Sequence, residues 1–247
     1  MTAEQRDLEG LNALVTGATS GIGQAVARQL ARHGAEVIVH GRDAGRGGAV
    51  VDAITAEGGK ARFAAADLSD PAGAGVDDLI QQAGPVDVLV NNAGVSWFGP
   101  TPDIDVATFA RLFVANVQAP YFLVAALAPQ MAARGSGVII NVGSMAGEVG
   151  MPGGAAYGAT KAALDSMTRS WAAEYSLAGV RINTVASGPV YTGIQPAEVT
   201  QGVGDTTIMK RAAQPDEIAN VIAFLASPKA SYVTGAVIAA DGGRSAI

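Results

Sequence analysis

The chain has 247 residues, of which 49% are hydrophobic and 15% charged, enough apolar material for a single globular domain over 1–247. Its net charge of −6, without any run of Lys and Arg, argues against binding to nucleic acid or to an anionic membrane surface. The chain contains only two histidines and no cysteine, so disulfide and thiolate chemistry are excluded.

The N-terminal stretch MTAEQRDLEG is polar and acidic and lacks the pattern of a signal peptide. The longest apolar helical stretch, at 120–129, is too short to span a bilayer. These two features predict a cytoplasmic protein with no membrane partner.

Strand-like and helix-like segments alternate along the chain. Short apolar runs predict strands at 11–17, 35–41, 61–68, 86–94, 137–144, 180–187 and 235–243. Apolar residues at helical spacing predict helices at 21–34, 103–133, 155–178 and 215–227. This alternation is typical of an α/β fold, in which helices cover a parallel sheet through right-handed crossovers.

A glycine-rich segment, TGATSGIG at 16–23, separates the first predicted strand from the first predicted helix. Glycines at such a turn let backbone N–H groups approach a phosphate, and the N-terminus of the helix favours negative charge there. The spacing is G-x-x-x-G-x-G rather than G-x-G-x-x-G, so alone it indicates either a dinucleotide site or a tight turn packed on the sheet.

The end of the second predicted strand bears on the choice of dinucleotide. An acidic residue there would accept hydrogen bonds from the ribose 2′-OH of NAD and repel a 2′-phosphate. The sequence instead places Gly41 and Arg42 at this point, and a guanidinium can bind a phosphate through paired hydrogen bonds. NADP(H) is therefore favoured, unless Arg42 is simply a solvated surface residue. Asp43, which could equally cap the next helix, keeps NAD(H) from being excluded.

Two further strand ends could contribute to the same site. Asp67 and Leu68 follow the third predicted strand, where they could bracket an adenine ring. The motif NNAG at 91–94 ends the fourth predicted strand, where a doubly wound sheet opens its crevice. Such Asx-Gly clusters also form simple turns.

Tyr157 and Lys161 are four residues apart in a predicted helix and therefore lie on one face of it. A phenol with a pKa of about 10 is nearly inert as a base at neutral pH, but a nearby cation favours the phenolate. A positively charged nicotinamide would act in the same direction. The pair can therefore serve as a general acid and base without a histidine.

Two polar residues accompany this pair. Ser144 closes the fifth predicted strand thirteen residues before Tyr157, and its hydroxyl could hold a carbonyl oxygen beside the phenol. Asn116 lies mid-helix among apolar neighbours and is either a satisfied core amide or the support of a helix bend. In the second case it would hold a water in a proton relay that ends at Lys161. No metal site is predicted.

These residues together resemble the short-chain dehydrogenase/reductase family over roughly residues 10–245. The matching elements are TGATSGIG at 16–23, NNAG at 91–94, Asn116, Ser144, Tyr157-x-x-x-Lys161 and the segment INTVASGPVYT at 182–192. The resemblance implies one doubly wound, Rossmann-type parallel sheet, usually of seven strands, and usually a homotetramer.

The resemblance also implies roles by position. Tyr157 would be the proton donor and acceptor, Ser144 would orient the substrate oxygen, and Lys161 would hold the nicotinamide ribose while Asn116 completes the relay. The cofactor-binding residues that follow from the motifs and the resemblance are Gly17, Thr19, Ser20, Gly21, Ile22, Gly23, Arg42, Asp67, Leu68, Asn91, Ala93, Gly94, Tyr157, Lys161, Pro189, Val190 and Thr192.

The chain departs from the family pattern at two positions. Ser187 stands where the family usually has a proline before Gly188, and we expect a looser turn there. Ser20 stands where some NADP-preferring members carry a second basic residue, so the choice of cofactor depends on Arg42 with help from Arg46.

The resemblance places a substrate pocket along the segments that follow Asn92, Ser144 and Gly188. The residues predicted to line it are Ser96, Trp97, Met145, Glu148, Met151 and Tyr191. Their mainly apolar character, with no Arg or Lys, favours a neutral ketone or secondary alcohol as substrate. The Gly-, Thr- and Gln-rich segment 193–210 is predicted to be a mobile lid over this pocket.

The leading hypothesis is an NADP(H)-dependent carbonyl reductase or alcohol dehydrogenase, in which hydride moves between nicotinamide C4 and the carbonyl carbon. The C-terminal part, from 210, is also similar to that of 3-oxoacyl-thioester reductases acting on acyl carrier protein or CoA. An acidic chain would offer an acidic carrier protein little attraction beyond Arg134 and Arg169. A dinucleotide-binding sensor without turnover is disfavoured, since both the tyrosine and the lysine are present.

Overall fold

A computed structural model describes residues 6–247 as an all-parallel, seven-stranded sheet with helices on both faces. The strands are β1 Asn12–Val15, β2 Glu36–Gly41, β3 Lys60–Ala65, β4 Val88–Asn91, β5 Gly137–Ser144, β6 Val180–Ser187 and β7 Val237–Ala240. The helices are α1 Gly21–Arg32, α2 Ala44–Ala56, α3 Ala74–Ala83, α4 Val106–Phe113, α5 Ala119–Arg134, α6 Ala155–Tyr175, α7 Ala197–Gly204 and α8 Pro215–Ala226. This architecture confirms the predicted α/β doubly wound fold.

Three helices, α2, α3 and α7, lie outside the segments that apolar spacing predicted as helical. Helix α2 illustrates the reason, because its sequence AGRGGAVVDAITA has three glycines among its first five residues, which disfavour a helix. Two tertiary features override that preference. Asp43 caps the helix by accepting a hydrogen bond from the Arg46 N–H, and Val50 and Ile54 are buried in the core.

The strand order β3-β2-β1-β4-β5-β6-β7 places the reversal of winding between β1 and β4. Helices α1, α2 and α8 bury residues in one apolar layer, whereas α3, α5 and α6 bury residues in the other. The connections after β1 and β4 therefore leave on opposite faces and open a crevice at the carboxyl edge of the sheet. Val15 is in register with Val90, which sets the glycine-rich turn beside the NNAG segment.

The strand residues alternate between the two apolar layers, as a sheet buried on both faces requires. In β1, Ala13 and Val15 belong to the layer with α1, and Leu14 belongs to the layer with α5. In β5, Ile140 belongs to the layer with α1, and Ile139 belongs to the layer with α5. Helices therefore pack against both faces of the sheet, and the carboxyl ends of its strands support the site.

The helix predicted at 103–133 consists of α4, a π-helical turn at Val114–Gln118, and α5. This helix spans 29 residues and is the one helix within residues 6–247 that is long and apolar enough to cross a membrane. The expectation that its apolar stretch is too short is therefore wrong. However, 50% of its most apolar window is buried, and Leu123, Leu127 and Met131 pack in the core, as in the central helix of a folded domain.

The segment 193–210, predicted as a loop, contains helix α7 and is closed at its base. Val190 pairs with Ala213 in a parallel bridge. The Tyr191 hydroxyl donates a hydrogen bond to Gln201 on α7, and Gln201 Nε2 donates to Asp205 Oδ1 at 2.7 Å. The segment therefore contains a short helix, and its closure over a substrate as a lid stays a prediction.

Candidate active site

Tyr157 and Lys161 lie in the first two turns of α6, beside the end of β5. The Lys161 ammonium is 5.7 Å from the centroid of the Tyr157 ring and donates a hydrogen bond to the Val142 carbonyl oxygen at 2.8 Å. Lys161 is only 6% exposed, and Tyr157 is half-buried. The helical spacing thus brings a buried cation next to the phenol, which is the arrangement that favours a phenolate.

Ser144 is the last residue of β5 and is followed by a 3₁₀ turn at Met145–Gly147. Its Oγ accepts a hydrogen bond from the Ala146 N–H at 3.2 Å. A Cβ at Gly158 would lie 2.4 Å from the Ala146 carbonyl oxygen, so only glycine allows this turn to pack on α6. Because Gly158 directly follows Tyr157, the contact holds the Ser144 turn beside the phenol.

Asn116 lies in the π-helical turn and is 1% exposed. Its Oδ1 accepts a hydrogen bond from the Val95 N–H at 2.8 Å. Its Nδ2 donates to the Val95 carbonyl at 2.8 Å and to Thr160 Oγ1 at 3.0 Å. Asn116 is therefore a satisfied buried amide at a helix irregularity, a feature frequent at functional sites. It ties the segment after β4 to the residue before Lys161, and its water relay stays a prediction.

The glycine-rich turn is held by the segment after β4. Asn92 Nδ2 donates hydrogen bonds to the carbonyl oxygens of Thr16 and Gly17, at 2.9 and 3.1 Å. A Cβ at Gly23 would lie 2.3 Å from the Gly17 oxygen and 2.4 Å from Asn92 Nδ2, so any larger residue would displace the turn. The first turn of α1, a favourable place for an anion, is thereby fixed at the crevice.

The Asn91 side chain, a predicted cofactor residue, does not line the crevice, and its neighbour Asn92 holds the glycine-rich turn instead. Asn91 is 2% exposed, and its Nδ2 donates to Asn141 Oδ1 on the adjacent strand at 2.9 Å. Asn141 Nδ2 donates in turn to Thr168 Oγ1 on α6 at 2.7 Å. Successive side chains of a strand point to opposite faces, so the pattern NN does not reveal which asparagine faces the crevice.

Ser187 does not loosen the turn before Gly188, contrary to the expectation. It is the last residue of β6, in register with Ser144 on one side and Ala240 on the other. Its Oγ donates a hydrogen bond to the Gly143 carbonyl oxygen at 3.3 Å. The hydroxyl thus bonds to the neighbouring strand, and Ser187 also lines the cavity described next.

A cavity of about 370 Å³ runs along the carboxyl edge of the sheet, over the β1/β4 crevice. Tyr157 and Lys161 lie at one end of it, the glycine-rich turn in the middle, and Arg42 at the other end. The predicted cofactor residues that line it are Gly17, Thr19, Ser20, Gly21, Ile22, Gly23, Arg42, Asp67, Leu68, Ala93, Gly94, Tyr157, Lys161 and Thr192. Its lining therefore fits an elongated molecule with phosphates at its centre.

Besides Asn91, two predicted cofactor residues, Pro189 and Val190, lie outside this cavity. The Pro189 carbonyl accepts a hydrogen bond from the Ala213 N–H at 2.9 Å, and Val190 pairs with the same residue. Thr192 does line the cavity, and a Cβ at Gly21 would lie 3.0 Å from the Thr192 Cβ. Thr192 thus reaches from the segment after β6 to the start of α1.

Of the predicted substrate residues, only Ser96 lines the cavity within the described residues, whereas Trp97, Met145, Glu148, Met151 and Tyr191 do not. The Tyr191 hydroxyl is used by Gln201, and the Met145 side chain is buried. The Trp97 ring covers Gly99, because a Cβ placed on Gly99 would lie 2.8 Å from that ring. The Phe98 ring instead contacts the Tyr157 ring, with centroids 5.3 Å apart. Among the predicted substrate residues, Ser96 is thus the one at this cavity, and the substrate pocket itself stays a prediction.

The charges at the adenosine end favour a phosphate. Arg42 and Arg46 both line the cavity. Asp43 faces α2 instead, because its Oδ1 accepts a hydrogen bond from the Arg46 N–H at 3.0 Å, which lowers the pKa of its carboxyl. Asp67 Oδ1 accepts hydrogen bonds from the Ser69 hydroxyl and N–H at 2.6 and 3.0 Å, which lower the pKa of that carboxyl too.

His40 is a site residue that the sequence reasoning missed. It is 3% exposed and lines the cavity beside Gly41. Its Nδ1 accepts a hydrogen bond from the Gly17 N–H at 3.1 Å, and its Nε2 lies 3.2 Å from the Ala66 carbonyl oxygen. These partners require a neutral ring with its proton on Nε2, and burial lowers the pKa of His40 to about 4. The feature of the sequence that could have indicated this role is a histidine at the end of a buried strand, next to the glycine-rich turn.

We expect His40 to make folding sensitive to acid. Its pKa is about 4 in the folded protein and about 6.5 in an unfolded chain, so the unfolded state binds more protons between these values. The stabilisation is complete above the unfolded pKa and is lost as the pH falls, by about 2 kcal/mol between about pH 7.5 and pH 5. Urea unfolding at both pH values should show a smaller decline for His40→Asn than for the wild type. An equal decline in the two proteins would contradict this account.

Comparison with known proteins supports what the fold and site indicate, a dinucleotide-dependent oxidoreductase. Residues 17–245 match the family model described as enoyl-(acyl carrier protein) reductase. The chain is 42% identical over 245 residues to an uncharacterized oxidoreductase of Methylorubrum extorquens, covering 96% of this chain and 98% of the relative.

Solved structures agree with the sequence relatives. A short-chain dehydrogenase/reductase family protein is 50% identical, with a TM-score of 0.91 over 98% of this chain and 100% of its own. The angucycline C-6 ketoreductase with bound NADP is 34% identical, with a TM-score of 0.90 over 100% of both chains. The chain belongs to the short-chain dehydrogenase/reductase family.

Proposed function

We propose that the protein is an NADP(H)-dependent oxidoreductase that interconverts a neutral, fairly hydrophobic ketone and its secondary alcohol. The observation that carries this proposal is a single cavity with the Tyr157–Lys161 pair at one end and Arg42 with Arg46 at the other. The two ends match the two ends of NADP(H), a reactive nicotinamide and a phosphorylated ribose.

The residues of the cavity fit this cofactor. The glycine-rich turn lines the cavity, and the free backbone N–H groups at the start of α1 would bind the pyrophosphate. Asp67 and Leu68 would border the adenine, and Thr192 would lie at the nicotinamide. When bound, the cofactor supplies or receives the hydride.

The protein residues would handle the proton and the orientation of the substrate. In the direction of reduction, the Tyr157 hydroxyl donates its proton to the carbonyl oxygen, and in oxidation the phenolate removes it. The Ser144 hydroxyl donates a hydrogen bond to the same oxygen and so fixes the carbonyl beside the phenol. The Lys161 ammonium, 5.7 Å from the ring centroid of Tyr157, would stabilise the negative charge on the phenolate oxygen.

A preference for NADP(H) over NAD(H) is supported by three features. Two guanidinium groups face the adenosine end, the Asp43 carboxylate is engaged as the cap of α2, and the related ketoreductase holds NADP. The Asp43 carboxylate, which could accept a hydrogen bond from a free ribose 2′-OH, is thus engaged elsewhere. The two guanidinium groups are present as donors for a 2′-phosphate.

Arg42→Gln should raise the KM for NADPH by about tenfold to a hundredfold, because a hydrogen bond to a charged phosphate contributes about 1.5–3 kcal/mol. The KM for NADH should change little, so the ratio of kcat/KM for the two cofactors is the quantity to measure. Arg111→Gln, an exposed arginine on α4 outside the cavity, is the matched control. An unchanged ratio in Arg42→Gln would show that Arg42 does not contact the 2′-phosphate.

A 3-oxoacyl-thioester is the alternative substrate, and a related structure, a 3-oxoacyl (acyl-carrier-protein) reductase with NADP bound that is 35% identical to this chain, favours it. The structure weakens the electrostatic argument for a carrier protein. Arg134 lies near the amino-terminal edge of the sheet, where it donates a hydrogen bond to the Val86 carbonyl and pairs with Asp87. Of the two arginines considered for binding a carrier protein, Arg169 is the one on α6, the helix that carries Tyr157 and Lys161, and it is exposed.

The proposal is tested by following the oxidation of NADPH and NADH at neutral pH with apolar ketones, diketones and a short 3-oxoacyl thioester. Turnover of a ketone with NADPH is the expected result. Turnover of the thioester alone would establish the alternative, and tight binding of NADPH without any turnover would favour a sensor. A preference for NADH would overturn the cofactor assignment and leave the catalytic residues standing.

A further inference from the structure

His40 joins the two walls of the adenosine half of the cavity. The Gly17 N–H donates to its Nδ1 at 3.1 Å, and the Ala18 N–H donates to its backbone carbonyl at 2.8 Å. On the opposite side, His40 Nε2 is 3.2 Å from the carbonyl oxygen of Ala66, which directly follows β3. One buried side chain therefore connects the glycine-rich turn after β1 to the segment that borders the adenine.

Gly17 is the residue on which these contacts converge. Its N–H is bonded to His40 and its carbonyl oxygen to Asn92, so both sides of the residue are held. Its φ of +62° lies in the left-handed region, and a Cβ there would be 2.9 Å from the Ala93 Cα. Losing either hydrogen bond would therefore free a turn whose shape depends on both.

We propose that His40 is a positioning residue for the dinucleotide, which acts through its hydrogen bond with Gly17 to hold the glycine-rich turn in the shape that binds the cofactor. This inference rests on the dinucleotide part of the proposed function and is independent of the substrate. The ring must stay neutral to accept the Gly17 hydrogen bond. The charged groups that act on it are Arg42, at the end of its own strand, and Asp67, in the segment after β3.

Two substitutions separate the two side-chain hydrogen bonds. In His40→Asn, the amide oxygen takes the position of Nδ1 and can accept from Gly17, while the bond to Ala66 is lost. In His40→Gln, the amide nitrogen takes the position of Nε2 and can donate to Ala66, while the bond to Gly17 is lost. His40→Leu removes both. His33→Asn, which changes the other histidine at the far end of α1, is the matched control.

The readout is the Kd of each protein for NADPH, measured by the fluorescence of the reduced nicotinamide without any substrate. His40→Gln and His40→Leu should raise the Kd by about tenfold, the effect of one buried hydrogen bond. His40→Asn and His33→Asn should bind nearly as the wild type does. The kcat at saturating NADPH should change far less than the Kd in every variant, since Tyr157 and Lys161 are untouched.

A pH titration of NADPH binding provides a second measurement, which changes the charge of the His40 ring in the unmutated protein. The Kd of the wild type should rise as the ring takes up a proton in acid, and the Kd of His40→Asn should rise less. The inference is overturned if His40→Gln and His40→Leu bind NADPH as the wild type does, or if His40→Asn weakens binding as much as His40→Gln. A wild type that binds neither NADPH nor NADH would overturn the proposed function as well.

Discussion

Replacing Tyr157 with phenylalanine is expected to lower kcat by about 10²–10⁴-fold, the usual contribution of a general acid and base. The substitution removes one oxygen atom and leaves the ring that packs against Phe98, with centroids 5.3 Å apart. The fold and the cavity should therefore be preserved while proton transfer to the substrate oxygen is lost. The measurement is kcat for ketone reduction with saturating NADPH, together with the Kd for NADPH, which should change far less.

Tyr175→Phe is the matched control for this experiment, because it removes a phenol oxygen at the other end of the same helix. The Tyr175→Phe variant should reduce the ketone at nearly the wild-type rate. If Tyr157→Phe retained most of the activity, the phenol would not be the proton donor and the proposed mechanism would be wrong.

Replacing Lys161 with methionine is expected to lower kcat by about 10²-fold or more and to raise the KM for NADPH. Methionine keeps most of the apolar stem of a side chain that is 6% exposed but removes the cation 5.7 Å from the Tyr157 ring. The phenolate then loses its stabilisation, and the Val142 carbonyl loses its hydrogen bond from Nζ.

Arg169→Met removes a cation from the exposed surface of the same helix, two turns beyond Lys161, and serves as the control. With a small ketone as substrate it should leave kcat unchanged. A Lys161→Met variant that reduces the ketone at the wild-type rate would contradict the role assigned to the lysine.

The parts of the structure that follow from local rules could be predicted from the sequence. Apolar strands buried on both faces gave the parallel sheet, and the spacing of Tyr157 and Lys161 placed both on one face of a helix. The glycine-rich turn and Arg42 also line one cavity, because the carboxyl ends of parallel strands meet at one edge. Each of these inferences needs only periodicity and the direction of the chain.

The parts that depend on tertiary packing could not be predicted. The sequence does not show that Asn92 rather than Asn91 faces the glycine-rich turn, because a shift of one residue reverses the face of the sheet. The burial of Met145 and the fold of Trp97 over Gly99 depend on loop contacts that leave no periodic pattern. His40 reads as an ordinary strand residue until its position between Gly17 and Ala66 is known.

The central claim is that hydride passes between nicotinamide C4 and the carbonyl carbon of a ketone in the cavity beside Tyr157. The most direct test is to reduce a ketone with NADPH that carries deuterium at C4, using each of the two C4 epimers in turn, and to locate the deuterium in the product. The account predicts that one epimer transfers its deuterium to the carbinol carbon of the alcohol. Consumption of NADPH with no deuterium on that carbon, whichever epimer is used, would contradict it.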